Sequence, residues 1–329
     1  MGNSTGNRPG KVEDKVVVVT GGARGIGRSE ALEFARQGAH VVVNDYGADV
    51  NGTGRTLDPA EEVVAEIEAL GGKAVANGDD VSDWDGAQRL VETAVETFGR
   101  LDVLVNNAGI LRDRTIAKMT EDEWDTVIRV HLKGHMATLR HAAEYWKDVA
   151  DTGTRPNAAV INTASGSGLY GNQGQSNYGA AKAAIASLTV IAAQELARYD
   201  VRVNAIAPAA MTRMTEDRPY FQEQKAIRER DATAFIPTDP DNVAPLVVWL
   251  GSDAAQGVTG RVFNVVGGSV EVAEPWQHGP KRDKGARWDV DELDDVVPQL
   301  LDEALPQVFA GGKAIMTWDQ YSEQQSKRS

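Results

Sequence analysis

The sequence predicts an α/β fold in which one doubly wound, seven-stranded parallel sheet carries helices on both faces. Three observations lead there. Short β-branched runs alternate with longer helical patterns along the chain, as they do in repeated strand–helix–strand units. The first run, Lys15 to Thr20, reads Lys-Val-Val-Val-Val-Thr, the continuous apolar pattern of a strand covered on both faces. A glycine-rich turn, Gly21-Gly-Ala-Arg24-Gly25-Ile26-Gly27, follows at once and opens a helical pattern from Arg28 to Gln37.

Each element then has its own justification. Glycines at a strand-to-helix turn let main chain approach a pyrophosphate, and the helix start supplies free N–H groups and the positive end of a dipole. The second strand is His40-Val-Val-Val-Asn-Asp45, and its terminal carboxylate stands 18 residues beyond Gly27. That spacing suits a carboxylate that reaches the ribose hydroxyls of NAD and opposes the 2′-phosphate of NADP. Arg24 is the counter-signal, since a guanidinium in the turn attracts that phosphate; the reading favours Asp45 and therefore NAD. A long glycine-rich loop, Tyr46 to Asp58, precedes a helix with Asp58 as its cap and Pro59 at its first position.

Lys73 to Asn77 is the third strand, and it exits through Gly78-Asp-Asp80-Val81. Asp80 either meets an adenine amino group or caps the helix from about Trp84, and the two roles are compatible. Leu101 to Val105 is the fourth strand, leading into Asn106-Asn107-Ala108-Gly109, small residues on which a flat ring can lie. A single helix is predicted from about Glu121 through Trp124, Val127, His131 and Leu132 toward Tyr145 or later. Ala158 to Asn162, Val201 to Ala207 and Val262 to Val265 complete the seven strands, with Pro208 and Gly267-Gly268 as stops.

The fifth strand delivers the stretch on which the chemistry turns, Ser165 to Lys182. With the segment from Asn177 helical, Tyr178 and Lys182 stand at i and i+4 on one face. An ammonium beside a phenol favours the phenolate, so Tyr178 can trade a proton with an alcohol or ketone oxygen. The segment Ala209 to Pro240, with Met211, Met214, Tyr220 and Phe221 among charges, reads as a lid. Its methionines and aromatics suit an acyl chain or sterol. Arg213, Lys225, Arg228 and Arg230 either meet the phosphates of a ligand or form a solvated helix face.

Composition narrows the classes. The chain has 329 residues, 42% of them hydrophobic, and a net charge of −14. That balance argues against nucleic-acid binding, because no basic stripe is present to displace phosphate counterions. No cysteine occurs, which removes disulfides and thiol chemistry and fits a cytoplasmic location. No metal site is expected, and no stretch is expected to span a bilayer. Residues 1–11 read as a disordered leader, 12–270 as the sheet domain and 271–329 as an extension. Trp276, Trp288 and Trp318 in that extension predict packing on the core or a neighbouring subunit.

Taken together, Thr20-Gly21-x-x-x-Gly25-x-Gly27, Asn106-Asn107-Ala108-Gly109, Ser165 and Tyr178-x-x-x-Lys182 resemble the short-chain dehydrogenase/reductase family, whose fold is Rossmann-like. The resemblance implies that Tyr178 is the acid–base residue, that Lys182 also holds the nicotinamide ribose and that Ser165 bonds the reacting oxygen. It further implies a cofactor lining of Thr20, Gly21, Arg24, Gly25, Ile26, Gly27, Asp45, Asp80, Val81, Asn107, Ala108, Gly109 and Pro208. Ala209 stands where the family has a glycine after that proline. Asn107-Ala-Gly-Ile-Leu-Arg-Asp113, Arg129-Val-His131-Leu-Lys-Gly134 and Leu169-Tyr-Gly-Asn-Gln-Gly-Gln175 are similar to the (3R)-hydroxyacyl-CoA dehydrogenase domain of peroxisomal multifunctional enzyme type 2 and its bacterial steroid-CoA relatives.

That likeness implies an acyl-CoA substrate. His131 occupies the place of a family Asn that holds a proton-relaying water, and is either such a relay or a packed helix histidine. Family members commonly form dimers or tetramers through the helix at 121–145 and the Ala-rich helix from Asn177 to Arg198. The alternatives are a sterol or simple alcohol dehydrogenase of the same fold and, more remotely, a dinucleotide-binding scaffold without turnover.

Overall fold

The structure is a computed structural model that describes residues 10–47, 54, 56–210, 219–231, 233–274 and 276–306. Within 1–273, a compact unit of its own, eight strands form one sheet in the order β3-β2-β1-β4-β5-β6-β7-β8. They are β1 Val16–Thr20, β2 His40–Asn44, β3 Lys73–Asn77, β4 Val103–Asn106, β5 Ala158–Thr163, β6 Val201–Pro208, β7 Val262–Val266 and β8 Ser269–Ala273. The first seven are parallel. The eighth was not expected from the sequence; it folds back antiparallel on β7, pairing Val265 with Val270, because Gly267 takes a φ of +54° and makes a two-residue reversal possible.

Alternation along the strands sorts the core into two layers. Val17, Val19, Val41, Val43, Val103 and Ile161 face one side with Phe34 of α1 (Gly25–Arg36), Val63 and Ile67 of α2 (Asp58–Ala69) and Leu250. Val16, Val18, Val42, Leu104 and Val160 face the other, against Leu90 of α3 (Trp84–Phe98) and Trp146. Two-sided burial explains why the strands read as unbroken apolar runs. Asp58 begins α2 as its first residue instead of capping it. Asp83, not Asp80, caps α3, accepting from Gly86 N at 2.9 Å.

The long helix expected from Glu121 is broken. Thr120 and Glu123 form a capping box that starts α4 (Glu121–Ile128), a π-helical turn runs from Arg129 to Lys133, and α5 (Gly134–Asp151) resumes. A short helix, α6 (Gly166–Tyr170), precedes α7 (Ser176–Leu196). With its following turn, α7 spans 24 residues, Ser176–Tyr199, apolar enough by length and composition to cross a membrane. This corrects the expectation that no stretch comes near that length; the same alanines that raise its hydropathy let Ala192, Ala193 and Leu196 pack against Val201 and Val203 in the core. Beyond it lie α8 (Pro219–Arg230) and α9 (Ala244–Gly251).

A second unit, residues 274–329, carries α10 (Leu293–Glu303). Trp276 is exposed within that unit. Trp288 lies under the Lys284 ammonium at 5.0 Å, and Trp318 lies outside the described residues.

Candidate active site

The strand order reverses between β1 and β4, and the carboxyl ends of both strands open onto one cleft, the place where doubly wound sheets take ligands. The glycine turn lines it. Gly21 and Gly25 have φ of +63° and +52°, conformations that L side chains rarely adopt. A methyl group on Gly27 would sit 2.2 Å from the Gly21 carbonyl oxygen. That cradle, at the start of α1, fits a pyrophosphate. Thr20 braces the facing loop: its hydroxyl accepts from the N–H groups of Asn107 and Ala108 at 2.9 and 3.1 Å. The Asn107 amide in turn donates to the carbonyls of Thr20 and Gly21 at 3.0 and 3.2 Å. Asn107 thus holds the turn's shape from across the cleft.

Asp45 stands at the end of β2. Its carboxylate accepts from Ala23 N at 3.2 Å and Gly47 N at 2.8 Å, so a fixed negative charge flanks the turn. Beyond β2 and β3 is a cavity of about 200 Å³ lined by Tyr46, Thr56, Leu57, Gly78 and Asp79. Asp80 does not line it; its carboxylate accepts from the N–H and hydroxyl of Ser82 at 2.8 and 2.6 Å and pairs with Arg129 at 3.3 Å. Val81 is buried beside it, and Pro208 ends β6 with Ala209 N bonded to the Val265 carbonyl at 3.1 Å.

The chemistry-bearing groups converge at the same edge. Ser165 caps α6, its hydroxyl accepting from Ser167 N at 3.2 Å. Helix α6 lies so close to α7 that a methyl on Gly168 would be 2.5 Å from Ala183 N. Asn177, fully buried, fixes the start of α7 by donating to the carbonyls of Arg112 and Glu123, both at 3.0 Å. Arg114, then the Thr120 N–H, holds the Glu123 carboxyl down to about 2, so the side chain of that residue stays charged throughout the working range. Lys182 is 2% exposed. Its ammonium donates to the Thr163 carbonyl at 2.5 Å and lies 5.6 Å from the centre of the Tyr178 ring. Burial pushes its pKa down to about 7, because taking the ammonium out of water disfavours its charged form.

His131 lies in the π-helical turn, its ring edge-to-face with Tyr178 at 5.2 Å. Its Nε2 is 2.8 Å from the Ile110 carbonyl oxygen and 3.0 Å from the Ile110 N–H, so whichever tautomer is present finds a partner. Burial first, then Lys182, lowers its pKa to about 3; the ring is neutral and braces the loop that follows β4. A methyl on Gly109 would meet it at 2.3 Å.

Sequence reasoning missed several members of the site. Thr163 is Lys182's acceptor, and only its place at the end of β5 hinted at this. Asn177, adjacent to the tyrosine, was readable as a buried amide at a helix start. Gln175 donates to Asp113 at 2.9 Å, joining the ends of two motifs quoted above, a contact that neither motif alone foretold. Met211, Met214 and Arg213 lie outside the described residues, as do the side chains of Tyr220, Phe221 and Lys225. Arg228 pairs with Asp239 and Arg230 donates to the Ala226 carbonyl at 3.0 Å, so both belong to the helix surface.

A glycine cradle at a sheet switch point, facing a serine, a tyrosine and a buried lysine, defines an oxidoreductase that uses a nicotinamide dinucleotide. Comparison with known proteins agrees. Residues 15–224 match the family described as short chain dehydrogenase, and the chain belongs to that family. It is 44% identical over 283 residues to hydroxyacyl-CoA dehydrogenase ChsB1 of Mycobacterium tuberculosis, covering 85% of this chain and 86% of that one. It is 42% identical over 260 residues to peroxisomal multifunctional enzyme type 2 of Mus musculus, covering 79% of this chain but only 32% of that longer protein. A crystal structure of a short chain dehydrogenase from Mycobacterium avium superposes with a TM-score of 0.80 at 53% identity, over 91% of this chain and 99% of that one.

Proposed function

We propose that the chain is an NAD-dependent dehydrogenase that oxidises the hydroxyl of a 3-hydroxyacyl-CoA, a steroid side-chain thioester among the candidates, to the ketone. The observation that carries this reading is the Lys182 ammonium buried beneath the Tyr178 ring and anchored on the Thr163 carbonyl. The acyl-CoA substrate rests on the names of the relatives, and Met211 and Met214 as its contacts are part of the proposal.

Thr20, Gly21, Arg24, Gly25, Ile26, Gly27, Asp45, Asp80, Val81, Asn107, Ala108, Gly109 and Pro208 would hold the dinucleotide, which when bound supplies the hydride acceptor. Tyr178 takes the hydroxyl proton as the carbinol C–H bond gives up its hydride. Lys182 favours the phenolate by its charge and would hold the nicotinamide ribose. Ser165 steadies the developing carbonyl oxygen. Tyr178→Phe should lower turnover by about 10²–10⁴-fold, the range for a lost general base, while NADH binding measured by fluorescence stays intact; substantial residual turnover would remove the assignment. NADH formation across short, long and steroidal 3-hydroxyacyl-CoAs, with free sterols and alcohols alongside, tests the substrate. Turnover of free alcohols and none of thioesters favours the alcohol-dehydrogenase alternative.

NAD follows from the fixed charge of Asp45 beside the glycine turn. In Asp45→Asn the ratio of NADP to NAD turnover should rise by about tenfold or more, ~1.4 kcal/mol of relieved repulsion. An unchanged ratio would refute the role. The lack of cysteine supports a cytoplasmic setting. Assembly as a dimer or tetramer is inferred through α5 and α7, on which Met136 and Ile191 are exposed; a monomer in light scattering would count against it.

A further inference from the structure

Ser165 sits at the start of α6, a helix of five residues. So short a helix does not hold its own shape, and its first turn depends on outside partners. The Ser165 hydroxyl accepts from Ser167 N at 3.2 Å, and the Ser167 hydroxyl donates in turn to Oε1 of Gln175 at 2.8 Å. Gln175 is 5% exposed. Its Oε1 also accepts from the Asn172 amide at 2.8 Å, while its Nε2 donates to the Asp113 carboxylate at 2.9 Å.

Asp113 decides which way that buried amide faces. An ionised carboxylate only accepts, so Nε2 lies toward Asp113 and Oε1 toward Ser167 and Asn172. The Ser167 hydroxyl therefore spends its proton on Gln175. Its main-chain N–H fills a lone pair of the Ser165 oxygen, and the Ser165 proton is left for an oxygen of the substrate. The main chain of Gln175 serves the other half of the site: its carbonyl accepts from Gly179 N at 2.6 Å, at the start of the helix that bears Tyr178. One buried residue thus touches both limbs of the chemistry.

We propose that Gln175 is a positioning residue for Ser165, its side-chain amide, oriented by Asp113, holding Ser167 and through it the direction of the Ser165 hydroxyl. The inference deepens the dehydrogenase reading and rests on it for its kinetic consequence.

Kinetics in two backgrounds test it. Gln175→Leu should lower kcat for alcohol oxidation by about tenfold to a hundredfold, the cost of a reacting group misplaced by up to ~1 Å. KM for NAD should change less than about twofold, because the loss falls on the transition state. In a Ser165→Ala background the same substitution should cost less than about twofold more, since residues that act as a unit do not add. An equal loss in both backgrounds, or a parental kcat in Gln175→Leu, overturns the proposal. Should Gln175→Leu fail to fold, Ser167→Ala removes only the linking hydroxyl and should show the same dependence on Ser165; a parental kcat there overturns the proposal too. Gln175→Glu sets two carboxylates against each other and should lose kcat, and adding Asp113→Asn restores a donor and should recover most of it. No recovery counts against the orientation argued here and overturns the proposal. A parental turnover in Ser165→Ala would sink the serine's part in the proposed function, and this inference with it. A large loss in Ser165→Ala beside a silent Gln175→Leu removes this inference alone.

Discussion

Two buried groups of opposite kind set how single residues answer to pH. Glu30, on α1, is fully buried with neither carboxylate oxygen partnered among the described residues, and burial raises its pKa from 4.5 to about 8. Between those values the folded state keeps a proton that the unfolded state has released, so Glu30 costs stability increasingly as pH rises through that window, at ~1.4 kcal/mol per unit at most. Glu30→Gln should flatten the fall in melting temperature between pH 5 and 8. Lys182 works the other way. Its folded pKa of about 7 lies below the unfolded 10.5, so the unfolded state binds the extra proton and the stability penalty is relieved as pH rises through that range. Lys182→Met should raise the melting temperature at pH 7 and abolish catalysis. If melting were unchanged, the ammonium would be better solvated than its burial implies. Glu30 also shows where sequence reading stops: it sits among helical residues as an ordinary surface acid would, and only the packed fold reveals that its helix turns it inward.

At the scale of elements, the catalytic geometry depends on close approaches that glycine permits. Helix α6 positions Ser165, and Gly168 lets it press on the main chain of α7. Gly168→Ala should cost ~1–3 kcal/mol through overpacking and lower kcat by displacing Ser165, while dinucleotide affinity holds. A loss confined to dinucleotide affinity would contradict this placement. The glycine turn after β1 was legible from local chemistry alone, because strand, glycines and terminal Asp45 each report a backbone demand. The break between α4 and α5 was not. A π-helical turn adds one residue without interrupting the apolar pattern, so Val127, His131 and Leu132 read as one helix. Yet that turn brings His131 against Ile110. The strand β8, Ser-Val-Glu-Val-Ala, is missed because Gly267-Gly268 reads as a stop, although a glycine pair between two strand-like runs also marks a hairpin.

For the whole molecule, the division at residue 273 separates a sheet domain that holds every described site residue from a segment of 274–329. The acyl-CoA dehydrogenase reading places no catalytic group in the second unit. A chain ending at Ala273 should keep its cooperative unfolding, with its melting temperature within about 4 °C of the parent's, the shift expected for ~1 kcal/mol in a chain of this size. Aggregation or a broad transition would show that the sheet domain needs the extension. The order of the strands carries a consequence in time. The half of the sheet that bears the glycine cradle, β3-β2-β1-β4, is built from residues 16–106 alone, whereas Thr163, Tyr178 and Lys182 come later in the chain. On a ribosome, the surface that grips a nucleotide is therefore synthesised well before the machinery that reduces it, and a metabolite already docked there would bias the nascent strands toward their native neighbours.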